Sequence, residues 1–403
     1  MSSYGGNEMM TSLNILDLPE EILGNICAWL CPHCLNGNDK VYPDIRTRPL
    51  KGLTLASKRF RSIALPFFFH QLRCYNLRVL MKYQSLYPQI ALHCQDLHIE
   101  DFWNDSNFEV VRRHFKPLVF ENLQSLTLGE YYINEGSRGF DCIPLLNDML
   151  QATPAIRTLQ IYTPDIEIPD PPCGVDDEEQ MKNALLSLST PKSLRHLLFF
   201  SDTPITPEDD LLVEHLFRKS ESLITARVTC LFSDPLDIWS ALVHRRDALR
   251  SLKLITKCDE NFDIKDAWDE DKKLSSFVAL EKLTMSDGIF VRRDGIGDEC
   301  LVECIPISLQ KLTLHSDLGE ESGKGIWRLA KEISHGRFPN LRHIVIKCGS
   351  GGPRLGWKRE YREDCGFHAA FQGFHAKFEE YHRRRRILDQ ERMQQEWERM
   401  RNL

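Results

Sequence analysis

The stretch Pro339-Asn-Leu-Arg-His-Ile-Val-Ile346 contains the pattern on which the fold depends. Apolar side chains occupy Leu341, Ile344 and Ile346, so a step of three residues is followed by a step of two. The step of two is the alternation of a β-strand with one buried face, because successive strand side chains point to opposite faces. The stretch therefore predicts a helical step that leads into a strand.

The same pattern recurs along the chain, at intervals of 26 to 38 residues that average about 31. Helix-like apolar patterns lie between the copies, as at 145–150, 211–216 and 326–333. One strand and one helix per unit are typical of a solenoid, in which the units stack and their strands form one curved parallel sheet. The nine copies are Cys94/Leu97/Ile99, Leu123/Leu126/Leu128, Ile156/Leu159/Ile161, Leu194/Leu197/Phe199, Leu223/Ala226/Val228, Leu249/Leu252/Leu254, Leu280/Leu283/Met285, Leu309/Leu312/Leu314 and Leu341/Ile344/Ile346.

The composition of the 403 residues excludes several classes of protein. With 42% hydrophobic and 27% charged residues the chain is not wholly disordered, and a net charge of -7 argues against a nucleic-acid binder. The 13 cysteines are odd in number and scattered, which argues against a disulfide framework. The longest uncharged apolar run, 63–69, is far shorter than a membrane span, and no secretory signal is visible. We expect a cytoplasmic or nuclear protein that binds no membrane.

The chain opens on two short amphipathic helices. The first begins at Leu18-Pro-Glu-Glu-Ile-Leu23, where Pro19 suits the first helical position and the two glutamates suit the first turn. The second covers 53–66 and is expected to end at Pro66. A loop is inserted at 31–50. Two such helices bury too little apolar surface to fold alone, so they need a partner or a neighbouring domain.

These two helices resemble the F-box, through Leu18-Pro-Glu-Glu-Ile-Leu23 and Leu53-Thr-Leu-Ala-Ser-Lys-Arg-Phe60, and the inserted loop departs from that family. The units are similar to irregular leucine-rich repeats, and together they resemble a fungal-type F-box protein. In that family the F-box binds a Skp-type adaptor, and through it a cullin. The resemblance implies a non-catalytic substrate-recognition subunit of an SCF-type E3 ubiquitin ligase, without a cofactor. The implied adaptor contacts are Leu18, Pro19, Ile22, Ile26, Leu30, Leu53, Leu55, Phe60 and Ile63.

A leucine-rich-repeat array implies a concave sheet face that binds a target protein, here of unknown identity. The usual Asn or Cys after the strand is missing from every copy, which affects the regularity of the array and not its stacking. Residues between the strand's apolar positions point into that face. The candidate substrate-binding residues are His98, Thr127, Gln160, Arg227, Lys253, Thr284 and Thr313, with Leu198 and Val345 in the same row.

The expected organisation is a disordered stretch at 1–12, an F-box at 13–70, a solenoid at 90–350 and a C-terminal segment at 365–403. Aromatic residues from Phe367 to Tyr381 at steps of three and four predict a helix in that segment, which would cap the open end of the solenoid before a charged tail. The predicted fold class is therefore α/β, with a small all-α unit followed by a parallel-stranded solenoid and a C-terminal helix.

Two alternatives remain open. The protein could be a repeat scaffold without a ubiquitin role, with 13–70 as an N-terminal cap, or a metal enzyme or hydrolase. Cys31-Pro-His-Cys34 is half of a zinc site, and His70, Cys74, His93 and Cys94 are only possible completions. Cys365 and His368 lack an orienting third group for catalysis. We interpret the Cys-x-x-Cys stretch as plain loop and expect neither a metal nor a catalytic residue.

Overall fold

A computed structural model describes residues 15–31, 34, 50–100, 102, 113, 119–129, 143–163, 182–204, 207–231, 242–256, 274–286, 300–316, 328–333, 335–348 and 357–362. The described residues form helices and a single sheet, which confirms the predicted α/β class with parallel strands. The predicted C-terminal helix lies outside the described residues. Within the part of the chain that is described, no helix is long and apolar enough to cross a bilayer.

Three helices open the structure: α1 (Glu20–Leu30), α2 (Leu50–Ala56) and α3 (Lys58–Phe69). The single helix predicted over 53–66 is therefore two helices. The break falls at Ser57, whose side chain accepts a hydrogen bond of 3.1 Å from the backbone N–H of Phe60. Serine is a favoured helix N-cap, since its oxygen satisfies a donor that the first turn leaves without a partner.

The prediction that the second helix ends at Pro66 was wrong, because α3 continues through this proline to Phe69. A proline inside a helix removes one backbone hydrogen bond and costs about 3 kcal/mol. The final turn offsets this cost by packing. Phe69 is buried in the core beneath the sheet, and Phe68 packs against both that core and the core of the helices.

Eleven described strands form one sheet in which the strands follow chain order. Strands β1 to β10 are parallel, and β11 pairs with β10 in the antiparallel sense. The strands are β1 (Gln71–Cys74), β2 (Asp96–Ile99), β3 (Ser125–Leu128), β4 (Thr158–Thr163), β5 (His196–Pro204), β6 (Thr225–Leu231), β7 (Ser251–Thr256), β8 (Lys282–Ser286), β9 (Lys311–Ser316), β10 (His343–Cys348) and β11 (Trp357–Arg362). Further helices are α4 (Leu77–Leu86), α5 (Ile90–His93), α6 (Ile143–Gln151), α7 (Pro207–Lys219) and α8 (Cys300–Cys304).

All nine predicted copies of the apolar pattern coincide with strands β2 to β10. Their second members pair in register from Leu97 to Ile344, and their third members pair from Ile99 to Ile346. Every one of these side chains is buried. The sheet therefore buries two continuous apolar rows on one face, and each unit covers the rows of its neighbours.

The sheet also contains two strands that the pattern did not predict. Phe69, Leu72 and Cys74 form a tenth copy, which places β1 before residue 90, where the array was expected to begin. This copy was not recognised in the sequence because Phe69 lies in a continuous apolar run around Pro66, where the three-then-two spacing does not stand out. Strand β11 lies within the Gly-rich and charged region after 349, and its sequence has no row of aliphatic residues.

A backbone ladder joins each unit to the next at the point where the strand begins. One carbonyl accepts two consecutive N–H groups of the following unit, at distances of 2.8 to 3.1 Å. Such bonds depend on the backbone alone, so they need no particular side chain. The accepting carbonyls belong to His70, Gln95, Gln124, Arg157, Arg195, Ile224, Arg250, Glu281 and Gln310.

A polar residue directly before the first apolar position adds a second link between units. The side chain of Asn122 donates to the Leu92 carbonyl at 2.7 Å, and that of Ser308 donates to the Leu280 carbonyl at 2.8 Å. Likewise, the side chain of Ser193 donates to the carbonyl of Ile156 in the preceding unit. The recurrent Asn-Leu and Ser-Leu pairs of the sequence therefore hold the turn before the strand against the preceding unit.

A matched pair of substitutions in one turn tests the stacked core. Leu280 is fully buried, whereas the side chain of Val278 is 66% exposed. We expect Leu280→Ala to lower the free energy of unfolding by about 2–5 kcal/mol, because it leaves a cavity between units. Val278→Ala should change it by less than about 0.5 kcal/mol. Urea denaturation followed by circular dichroism measures both values, and equal losses would contradict the assigned packing.

Candidate functional site

The first candidate surface is an apolar stripe along α1. Ile22 is 44% exposed and Trp29, seven residues later, is 74% exposed, while Ile26 between them is half-buried. Residues at spacings of four and three lie on one side of a helix, so these three form a stripe. Trp29 is absent from the predicted adaptor contacts, although its helical spacing from Ile22 and Ile26 is visible in the sequence.

The remaining predicted adaptor contacts divide by exposure. Leu55 on α2 is 67% exposed, and Pro19 is also exposed. Phe60 is only 2% exposed and contributes to packing inside the protein. Half-buried positions make up the rest: Leu18, Leu30, Leu53 and Ile63.

A guanidinium holds the junction of α2 and α3 beside the start of α1. Arg59 donates a hydrogen bond of 3.0 Å to the carbonyl of Leu18, and its Nε lies 3.9 Å from a carboxylate oxygen of Glu20. The exposed Leu55 lies four residues before Arg59, on the other side of the helix break at Ser57. The bond therefore holds the α2–α3 junction, which follows Leu55, beside the start of α1.

The second candidate surface is the sheet face opposite the buried rows. The predicted substrate-binding residues form one register row across neighbouring strands, from His98 through Arg227 to Thr313, and we call it the central row. Thr127, Gln160 and Thr313 in this row are buried. His98, Arg227, Lys253 and Thr284 are half-buried.

A second row on the same face lies two residues further along the strands, and we call it the outer row. It contains Tyr162, Phe200 and Thr229 on β4 to β6, and Ser286, His315 and Lys347 on β8 to β10. Sequence reasoning missed this row because it considered one residue per strand. Strand alternation continued by one further step would have identified it.

An aromatic and cationic cluster joins the two rows. The rings of Tyr162 and Phe200 stack with centroids 4.6 Å apart and an interplanar angle of 12°. The guanidinium carbon of Arg227 lies 4.4 Å from the centroid of the Phe200 ring, which is a cation–π contact. The Gln160 amide donates to the Tyr162 hydroxyl. These contacts orient the guanidinium on the sheet face.

Cations dominate the face from β6 to β10. Burial, together with the positive charges of Arg227 and Lys347, lowers the pKa of Lys253 from 10.5 to about 8. Burial and the charges of Lys347 and Lys253 also lower the pKa of His315. At the other end of the sheet, Arg73 pairs with Glu100. Positive charge is therefore concentrated on one part of the face, where a bound anion would relieve the repulsion.

Several buried polar atoms of this face have no hydrogen-bond partner among the described residues. Among them are Oγ1 of Thr127, Oε1 of Gln160, Nε of Arg227 and Nε2 of His315. A buried donor or acceptor without a partner costs about 1–3 kcal/mol. A ligand that carries both donors and acceptors would recover part of this free energy.

A third group of side chains lies where α1 and α3 end. The Sγ atoms of Cys31 and Cys34 and the Nδ1 atom of His70 all lie within 4.8 Å of one another. Cys31 is buried, His70 is half-buried and Cys34 is exposed. Burial and the neighbouring Cys31 raise the pKa of the Cys34 thiol to about 11. Of the possible zinc completions considered from the sequence, the structure brings His70 to the two cysteines.

The sequence matches no protein-family model and no curated protein.

The position of Lys253 yields a prediction for its titration. Because the charged form is disfavoured in the folded protein, its amine should titrate near pH 8, and Arg227→Gln should raise that value by removing one cation. Relative to Lys253→Met, the wild-type protein should gain stability as the pH rises from about 8 to 10.5, where the unfolded chain binds more protons.

Nuclear magnetic resonance of ¹³C-methylated lysines measures the titration. Arg250→Gln is a matched control, since Arg250 is exposed and its Nη1 lies 3.6 Å from a carboxylate oxygen of Glu281. An unshifted Lys253, or an equal effect of the two arginine variants, would contradict the assigned electrostatics.

Proposed function

We propose that this protein is the substrate-recognition subunit of an SCF-type (Skp–cullin–F-box) E3 ubiquitin ligase. In this proposal α1 to α3 bind a Skp-type adaptor, and through it a cullin, while the sheet face binds a target protein. The observation that carries the proposal is the exposed apolar stripe of α1, which coincides with the F-box-like sequence beginning at Leu18-Pro19.

Exposure of large apolar side chains supports the adaptor half of the proposal. Ile22, Trp29 and Leu55 stay open to solvent although an extensive core is available elsewhere in the chain. Large exposed apolar patches are typical of protein–protein interfaces, where aromatic residues supply much of the binding energy. An amphipathic helix with such a stripe suits a hydrophobic groove on a partner.

Charge supports the target half of the proposal. The cluster of Arg227, Lys253 and Lys347 suits an acidic segment or a phosphorylated side chain, both of which accept charge-assisted hydrogen bonds. The stacked rings of Tyr162 and Phe200 add an apolar contact beside the cations. We therefore propose that the target presents an acidic segment to the rows from β4 to β10.

The proposed mechanism is proximity. A receptor that holds its target near a ubiquitin-loaded enzyme raises the effective concentration of target lysines, so transfer becomes nearly intramolecular. This role needs binding surfaces and no catalytic side chain of its own. That the protein is not an enzyme stays a prediction.

Adaptor docking is tested by the double variant Ile22→Asp with Leu55→Asp. Each change puts a charge into a contact that should be desolvated, so we expect the affinity for a recombinant Skp-type adaptor to fall by more than about 30-fold. Both positions are exposed, so the fold should survive, which circular dichroism checks.

The matched control is Leu186→Asp with Val278→Asp, at positions that are 73% and 66% exposed and lie outside α1 to α3. It should bind the adaptor normally in the same co-purification and calorimetry. Undiminished binding by Ile22→Asp with Leu55→Asp would reject the proposed surface and favour a repeat scaffold without a ubiquitin role.

Target recognition is tested by Arg227→Glu with Lys253→Glu. Proteins that accumulate on the wild-type receptor when the cullin is blocked should no longer be captured, because the reversed charges repel an acidic segment. Adaptor binding should be unchanged. The control Arg195→Glu with Arg250→Glu changes net charge equally at exposed positions next to the strands, and it should retain the targets. If both double variants still captured the target proteins, the cationic rows would not be part of the binding surface.

A further inference from the structure

Three potential metal ligands meet where two helices end. Cys31 directly follows α1, Cys34 lies one turn further on, and His70 directly follows α3. The distance from Nδ1 of His70 to Sγ is 3.4 Å for Cys34 and 4.0 Å for Cys31. The cluster thus joins positions that are 36 and 39 residues apart in sequence.

The separations fit one tetrahedral ion. Zinc binds sulfur at about 2.3 Å and imidazole nitrogen at about 2.0–2.1 Å. Tetrahedral angles then place a sulfur and a nitrogen about 3.5 Å apart and two sulfurs about 3.8 Å apart. The two sulfur–nitrogen separations lie on either side of the first value, and the two sulfurs are no more than 4.8 Å apart, so movements of up to about one ångström would bring all three atoms to zinc.

Local backbone geometry presents both sulfurs to the imidazole. The N–H of Cys34 donates to the carbonyl of Cys31 at 3.1 Å, which closes the Cys-x-x-Cys turn. The ring of His70 is held by Phe67, whose ring centroid lies 5.1 Å away. Two thiolates and one imidazole are ligands of zinc-type ions and not of magnesium or calcium, which prefer oxygen.

We propose that Cys31, Cys34 and His70 bind a zinc ion. Water takes the fourth position around the ion. The role is structural, since Cys31 belongs to the small buried core of the helices and the carbonyl of His70 is the first acceptor of the backbone ladder. Zinc here fastens the end of α1 to the point where α3 passes into β1. The site is independent of the ubiquitin-ligase proposal, and neither requires the other.

Two other states of the same side chains compete with this assignment. Cys31 and Cys34 could form a disulfide, or the thiols could make only hydrogen bonds, as Cys31 does to the carbonyl of Phe67 at 3.4 Å. Neither state retains a metal, so metal content separates them from the zinc site.

The test is metal analysis of the full-length chain, purified without a polyhistidine tag in reducing buffer. We expect about one zinc per chain in the wild-type protein. Cys34→Ser and His70→Gln should each retain less than about a tenth of it, because each removes a ligand. Cys34 is exposed, so its replacement disturbs no packing. The control His93→Gln changes a half-buried histidine outside the cluster and should keep the metal.

A second readout does not depend on zinc surviving purification. Adding Co²⁺ to the metal-free protein should produce thiolate-to-cobalt charge-transfer absorption and the visible bands of tetrahedral cobalt, and Cys34→Ser should lack both. Removing zinc with a chelator should lower the melting temperature of the wild-type protein and not that of Cys34→Ser. A wild-type protein that binds neither zinc nor cobalt, that retains zinc equally in Cys34→Ser, or that carries a Cys31–Cys34 disulfide in reducing buffer would overturn the proposal.

Discussion

Each unit holds the next by one carbonyl that accepts two consecutive amide hydrogens, and this contact sets the register of the sheet. Register decides which side of every strand is buried, since a shift of one residue would move a whole apolar row to solvent. With the ladder in place, the apolar rows from Leu97 to Ile344 and from Ile99 to Ile346 are continuous. The central row of the opposite face is then continuous from His98 to Thr313 as well. The geometry of this sheet face thus follows from backbone bonds that depend on no particular side chain.

The sequence predicted the regular part of this structure well, for a physical reason. Burial on one face imposes a period of two on every strand, and stacking imposes similar spacing on every unit. Both periods are local, so they can be read without knowing the fold, and nine strands fell at the predicted positions. The first strand escaped because its pattern, ending at Cys74, overlaps a helix that passes through Pro66. Proline usually ends a helix, but here the packing of Phe68 and Phe69 outweighs that tendency.

The candidate sites were predicted less completely, since they depend on contacts between distant parts of the chain. The central row was found because it alternates with buried residues. The stacking of Tyr162 on Phe200, and the approach of Arg227 to that ring, depend on which strands are neighbours and how long they are. The approach of His70 to Cys31 depends on how α1 packs against α3. No periodic pattern in one sequence encodes such a pairing, although the residue types marked it as possible.

Helix α3 passes into β1 with only His70 between them, so no flexible linker separates the helical half from the sheet. Strands in a sheet lie about 4.8 Å apart, and five such intervals separate β1 from β6, where Arg227 lies. The cationic face therefore begins about 24 Å from the helices, measured across the strands. A protein bound to α1 and a protein bound to that face would therefore be held at a fixed distance and angle from each other. The number of units between the two surfaces therefore sets their separation. If the proposed ligase role holds, inserting or deleting one unit would change which lysines of the target protein can be modified.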